Sequence, residues 1–396
     1  MKKIYLDNAA TTPLDESVFE AMKPYFREIF GNPESQHSFG KQAEFAVIRA
    51  REQVALALGA SDNEIYFTSG AAEANNWALK GAVASSQKPK KRIIISAIEH
   101  ASVLNCGEDL TEQGVEVVQV LPDKDGIINP KTVTDVLDEN TVIVSIMLAN
   151  NEVGAIQPIK EICQAVKEYN KDILSHTDAV QAIGALEVNV RDLGVDMLSI
   201  SAHKFYGPKG IGALYIKNGV KIGRLIAGGN QERGKRGGTS NVPAIVGLGA
   251  AIEKAVKDRQ TNCEHLRKLR DYFIEQVEQK IPYVKLNGHR TQRLDCNVNF
   301  TFDYVSSQSL INMLDMKGVA ASVGSACTAG SFKPSYVLMA MGVPKELANS
   351  SVRFTIGKYN TKEEIDYTVE VLKECVEELR KLSPLFVNIK TDKYLV

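Results

Sequence analysis

Seven short runs rich in Ile and Val, with helical or turn segments between them, restrict what this chain can fold into. They are EIYFT (64–68), RIIIS (92–96), VEVVQV (115–120), TVIVSIM (141–147), ILSH (173–176), DMLSI (196–200) and GALYI (212–216). Their apolar character is nearly continuous rather than alternating, as in strands covered on both faces. Stretches such as IKEICQAVKEY (159–169) carry helical spacing. Strand, helix and strand repeated at this interval build βαβ units and a mostly parallel sheet, an α/β fold. The texture changes after about residue 255. Residues 254–280 are highly charged, with apolar positions at helical spacing, and predict one long helix leading out of the first domain. Beyond it, short strands (297–302, 352–356) mix with helices (308–316, 365–382), the pattern of a smaller α+β domain.

Composition narrows the function classes. Lys and Arg number 47 against 48 Asp and Glu, so nothing in the balance calls for nucleic acid or an anionic membrane as a partner. The opening MKKIYLDNAATT lacks the apolar stretch of a secretory signal, and no run is long enough to cross a bilayer. The expectation is a cytoplasmic protein. The six cysteines (Cys106, Cys163, Cys263, Cys296, Cys327, Cys375) form no CxxC pair and sit at no zinc-binding spacing with His, so neither a disulfide framework nor a metal site is expected.

In open α/β sheets ligands bind beyond the carboxyl ends of the strands. RIIIS leads to His100, TVIVSIM to Asn150 and Asn151, ILSH to Asp178 and Gln181, DMLSI to Ser201, His203 and Lys204, and EIYFT to Ser69, Gly70, Ala71 and Ala72. Each has an ordinary reading by itself. An Asp after a strand caps helices, a lone Lys is a solvated charge, and Ser-Gly before a helix is a tight turn. Their convergence on one sheet edge favours a site. Small residues opening a helix make a phosphate cradle, because backbone and dipole both face the anion. A phosphate seat with an acid, a lysine and a histidine points to pyridoxal 5′-phosphate (PLP), held by a Schiff-base lysine with a carboxylate on its ring nitrogen.

The stretches YLDNAATTP, GNPESQHSFG, EIYFTSGAAEANN, NNEVGAIQPI, HTDAVQAIG, SAHKFYGPKGIGALY, GGNQERGKRGGTSN, SVGSACTAGSFKPSYVL and SSVRFTIGKYNT resemble, in order and across nearly the whole chain, cysteine desulfurases of the NifS/IscS type. These are fold-type I PLP enzymes of the class V aminotransferase family. The resemblance implies conversion of L-cysteine to L-alanine, with sulfur passing to an enzyme persulfide. It implies a homodimer and a sulfur-acceptor protein such as an iron–sulfur scaffold. Residues 15–257 would be the PLP-binding domain; 1–14 and 258–396 would be the small domain carrying the catalytic cysteine. Lys204 would hold PLP, Asp178 its ring nitrogen and Gln181 its phenolic oxygen. His100 would stack on the ring and assist proton transfers. Gly70, Ala71, Ala72, Ser201 and His203 would hold the phosphate, and Thr239 would reach the phosphate of the neighbouring subunit. Asn151 and Arg353 would bind the substrate carboxylate, a task suited to the planar guanidinium fork.

Cys327 would be the nucleophile. Its surroundings, Gly324 to Gly330, are small residues without apolar periodicity to bury a thiol. The chain departs from the resemblance at Ala72, where Thr is usual, at Ala202, where Gly is common, and at Lys333, where an acidic residue often stands. A selenocysteine lyase or aminotransferase-like sister is the nearest alternative. A non-catalytic scaffold and a plain nucleotide binder fit less well, since Lys204, Asp178, His100 and Cys327 are all present and no GxGxxG or P-loop follows a strand.

Overall fold

The computed structural model describes residues 3–324, 334–384 and 386. After β1 (Ile4–Tyr5), seven strands enter one sheet: β2 (Ile65–Thr68), β3 (Arg92–Ser96), β4 (Glu116–Val120), β5 (Thr141–Ser145), β6 (Leu174–Asp178), β7 (Met197–Ser201) and β8 (Gly212–Ile216). Their order is β2-β8-β7-β6-β5-β3-β4. All neighbours pair in parallel except β8, which runs antiparallel to both β7 and β2. The expected α/β class and mostly parallel sheet are therefore present.

Apart from the edge strand β4, the near-continuous apolar strands are buried on both faces. Ile94 of β3 joins one hydrophobic cluster with α2 (Ser38–Leu58), Ile159–Tyr169 and Val242–Lys257, after the short α1 (Glu16–Met22). Ile93 and Ile95 join a second cluster with α3 (Ala71–Ser85) and α4 (Ala101–Glu112). The predicted single helix over 254–280 is two, Val242–Lys257 and Arg259–Lys280. They meet at Asp258, whose φ −89° and ψ 0° leave the helical range. Asp is a poor helix former because its short side chain competes for backbone bonds, and apolar spacing carries no mark of such a break.

A second sheet has the order β12-β10-β9, from β9 (Val284–Leu286), β10 (Asn297–Phe302) and β12 (Ser351–Thr355), all antiparallel. Phe273 of the Arg259–Lys280 helix meets Phe300 and Phe354 edge-on, with ring centroids 6.0 and 5.2 Å apart. β11 (Val319–Ala320) pairs in parallel with β1, so the amino terminus lies against the last third of the chain.

β6 extends past the ILSH run to Asp178, so His176 lies inside the sheet. Its Nδ1 is 2.8 Å from Ser145 Oγ and its Nε2 is 2.9 Å from Ser199 Oγ. Full burial pulls its pKa down from 6.5 to about 3. The folded protein keeps this ring neutral while the unfolded chain protonates it, so stability falls as pH drops below 6.5 and continues to fall toward about 3. Replacing His176 with Asn should flatten the pH dependence of unfolding between these limits by up to one proton, ~1.4 kcal/mol per pH unit. Denaturant midpoints measured across that range check it; an unchanged slope refutes it.

Candidate active site

With β8 alone reversed, the carboxyl ends of β2, β3, β5, β6 and β7 share one edge, and β8 begins there at Gly212. A Cβ on Gly212 would lie 2.5 Å from Ile200 O and 2.8 Å from Gly70 C, so only glycine lets the turn after β2 close onto β7. A Cβ on Gly70 would meet only Ser201 Oγ, at 3.9 Å. α3 starts at Ala71 with no side chain capping its first N–H groups. Ser69 does not cap it, because its hydroxyl donates to Glu73 Oε2 at 2.5 Å, and Glu73 is paired with Arg236 at 2.7 Å. Ser69, Arg236, Gly238 and Thr239 line a cavity of about 170 Å³. The segment carrying them is held by Glu232, which takes both guanidinium nitrogens of Arg51 at 2.8 and 2.9 Å and the Phe67 N–H at 2.9 Å.

Lys204 ends the short turn after β7. Its Nζ donates to Ala9 O at 2.5 Å and Ala10 O at 2.8 Å, and Gln181 Nε2 donates to Ala9 O at 3.1 Å. The amino-terminal segment thus brings Lys204 and Gln181 to one carbonyl. His203 Nδ1 lies 3.2 Å from Thr11 Oγ1. Burial, helped by the charges of Lys204, Lys209 and His100, lowers the His203 pKa to about 4. His203 is therefore a neutral group at physiological pH.

Asp178 and His100 are linked through two residues that sequence reasoning did not single out. Asp178 Oδ2 accepts from Asn75 Nδ2 at 2.7 Å, and Asn75 Nδ2 also donates to Ser102 Oγ at 2.9 Å. Ser102 Oγ is 2.9 Å from His100 Nδ1. Asn75 stands in the quoted SGAAEANN stretch, and its position four residues after Ala71, on a helix facing the strand ends, is the signal that was there to be read. Glu99, beside His100, is fully buried; desolvation, reinforced by Asp178, pushes its carboxyl up to about 8. It receives Ser96 Oγ at 2.6 Å and Met147 N–H at 2.7 Å.

Arg353 lies in β12, only 2% exposed. It donates to Asp7 Oδ1 at 2.8 Å, Asn151 O at 3.1 Å and Gly324 O at 3.3 Å. Its Nε and Asn151 Oδ1 have no partner among the described residues. Cys327 and Lys333 lie outside the described residues. The other five cysteines are free thiols, and among the described residues no cluster could hold a metal.

These groups fit PLP. The uncapped start of α3 beside Ser201 offers donors to a phosphate, Asp178 presents a carboxylate, and Lys204 an amine. The buried, unpartnered Asn151 Oδ1 is the kind of orphaned atom that a bound molecule completes.

Residues 4–368 match the aminotransferase class-V family. The chain is 50% identical over 392 residues to a cysteine desulfurase IscS of Dictyoglomus turgidum, covering 99% of both chains. It is 50% identical over 384 residues to the cysteine desulfurase IscS of Methanosarcina thermophila, covering 97% of this chain and 94% of that one. Among solved structures, a NifS-like protein superposes with a TM-score of 0.90 at 40% identity, over 95% of this chain and 99% of its own. Another, SspA in complex with cysteine, gives 0.79 at 36% identity, over 90% and 100%. With an edge that joins a lysine, a carboxylate and a histidine, and with relatives this similar over their whole length, the chain belongs to the IscS/NifS cysteine desulfurases of the aminotransferase class-V family.

Proposed function

We propose that the protein is a PLP-dependent cysteine desulfurase that converts L-cysteine to L-alanine and passes the sulfur to Cys327 as a persulfide. The observation that carries this is that Lys204 follows β7 while Asp178 ends the adjacent β6, the acid being tied to His100 through Asn75 and Ser102. PLP supplies an electron sink for the substrate's α-carbon. Lys204 would anchor it and, as an amine, would move a proton at that carbon. Asp178 would hold the ring nitrogen's proton, and Gln181 would donate to the phenolic oxygen. Gly70, Ala71, Ala72, Ser201 and His203 seat the phosphate. Ala72 offers its backbone there without a hydroxyl, which still satisfies an anion at a helix start.

Arg353 and Asn151 orient the substrate carboxylate. A relative of known structure was captured with cysteine, which supports the same substrate here. Cys327, as thiolate, attacks the substrate sulfur. The S–S bond forms as the C–S bond breaks, and the electron pair stays with the carbon skeleton, which takes up protons and leaves as L-alanine. The persulfide then passes to an acceptor, for which an iron–sulfur scaffold protein is our reading. We divide the chain into a PLP-binding domain (15–257) and a small domain (1–14 with 258–396) that brings Cys327 to the site. We place the protein in the cytoplasm; among the described residues no helix is long and apolar enough to cross a membrane.

A homodimer is supported by an apolar surface on the first elements. Phe26, Phe30, Phe39 and Phe45 are 52 to 67% exposed, Leu56 is 85% exposed, and Phe30 and Phe39 lie 5.6 Å apart. Exposed apolar groups gathered in this way mark interfaces. In a dimer Thr239 would complete the partner's phosphate site.

Two experiments test the reading. Borohydride reduction of the yellow enzyme should fix the cofactor to Lys204, and Cys327→Ser should keep the colour and the L-cysteine-induced spectral change while persulfide formation drops at least a thousandfold, an expectation on the order of the loss when a nucleophile is removed. Labelling at another lysine, or undiminished persulfide in the Ser variant, refutes it. In sedimentation the protein should run at twice the 43.4-kDa chain mass, and Phe45→Glu should shift it toward the monomer with weakened PLP binding. A parent that is an active monomer refutes the dimer.

A further inference from the structure

The link between Asp178 and His100 determines where the histidine keeps its proton. The Asp178 carboxylate accepts from Asn75 Nδ2 at 2.7 Å and from the Val180 N–H at 2.9 Å. A carboxylate has no proton to offer, so the NH₂ side of the Asn75 amide must face it. The second amide proton then reaches Ser102 Oγ at 2.9 Å. Having received that bond, the Ser102 hydroxyl keeps its own proton for another acceptor, and His100 Nδ1 lies 2.9 Å away. Nδ1 also receives the Ser102 backbone N–H at 3.1 Å, because His100 is the N-cap of α4. A backbone N–H only donates. Two donors from one residue thus converge on Nδ1, which must present its lone pair.

We propose that Asn75 and Ser102 are positioning residues that hold His100 neutral with its proton on Nε2, so that it meets the bound cofactor as a hydrogen-bond donor and not as a base. The inference rests on the reading of His100 as the ring-side histidine. Forming the imidazolium, or using Nε2 as a base, requires a proton on Nδ1, where it would oppose the Ser102 N–H and break the cap of α4. Neutral imidazole serving as donor at a reacting oxygen or nitrogen is sound chemistry in a buried site. Two titratable groups that interact with His100 are Glu152 after β5 and His203 after β7, and burial drives each toward its neutral form. With both driven toward neutrality, the two Ser102 donors decide where the His100 proton sits. The cost is visible at Asn75, whose Oδ1 is buried with no partner among the described residues. Asn76 reinforces the arrangement by joining Ser102 O at 3.1 Å to Ala72 O at 3.0 Å, which fixes α4 against α3.

The test is nitrogen NMR on the holoenzyme labelled in its six histidines, with His100 assigned by its loss in His100→Gln. The parent should show an unprotonated Nδ1 and a protonated Nε2, persisting below the ordinary histidine midpoint of ~6.5. Ser102→Ala keeps the helix and the backbone donor but removes the hydroxyl, and should raise the His100 proton affinity about tenfold, near one pH unit. Ser102→Thr should restore the parent midpoint. An Nδ1–H form in the parent, or an unmoved midpoint in Ser102→Ala, overturns the proposal. Asn75→Ala should move the midpoint the same way, and a folded variant with the parent's midpoint removes Asn75 from it; if that buried change prevents folding, the Ser102 variants decide alone. An enzyme that passes these tests yet takes no label at Lys204 keeps the histidine lock and loses the catalytic reading, so the two fail separately.

Discussion

The site depends on the amino-terminal segment 7–12 being fastened at both of its ends. On one side, Asn8 Nδ2 donates to Thr355 O at 2.8 Å, the Ala9 N–H donates to Thr355 Oγ1 at 2.8 Å, and Asp7 is paired with Arg353. On the other, Thr12 donates from both N–H and Oγ1 to His203 O, each at 2.9 Å, and accepts from the Tyr206 N–H at 2.8 Å. Between these anchors the carbonyls of Ala9 and Ala10 are left to face Lys204 and Gln181. The strap thereby holds the edge of the large sheet and strand β12 in one register. The two carbonyls restrain the Lys204 amine at the edge where β7 ends.

Around that strap the protein limits the number of full charges. Glu99 is pushed up to about 8 by burial, His203 down to about 4, and Glu152, fully buried and bonded to Ser335 Oγ at 2.5 Å, is also raised. Each is a polar group that burial drives toward its neutral form, since desolvation penalises charge. Asp178 is different in its contacts: both of its oxygens receive N–H donors.

Much of the architecture was legible because burial on both faces leaves a direct mark on composition. RIIIS and GALYI coincide with β3 and β8, and NVNFTF with β10, since each is bounded by turn residues and filled with β-formers. The break at Asp258 was not legible, because helical periodicity continues through it. Nor were β1 and β11, two residues each, which exist through pairing with one another rather than through local preference. The strand-end residues Lys204, Asp178 and His100 could be read from position alone. Ser102, Glu99 and Asp7 could not, because each takes a partner far along the chain: Asn75 at 27 residues, Met147 at 48 and Arg353 at 346.

Arg353 shows how such a distant partner makes a recognition residue affordable. A guanidinium 2% exposed would be costly to bury without an anion, and removing the partner of a buried charge typically costs about 3–5 kcal/mol. Asp7 meets that need at 2.8 Å and the carbonyls of Asn151 and Gly324 take a second nitrogen, yet Nε remains without a partner among the described residues. Of the five N–H donors in the fork, the resident groups therefore use only part. If Arg353 receives the substrate carboxylate as proposed, that group meets an arginine already desolvated and already held in orientation by Asp7. The cost of burying and ordering the side chain has been met in folding, and binding has only to desolvate the substrate. On that proposal the fold carries the ordering, which suits a ligand as small as L-cysteine.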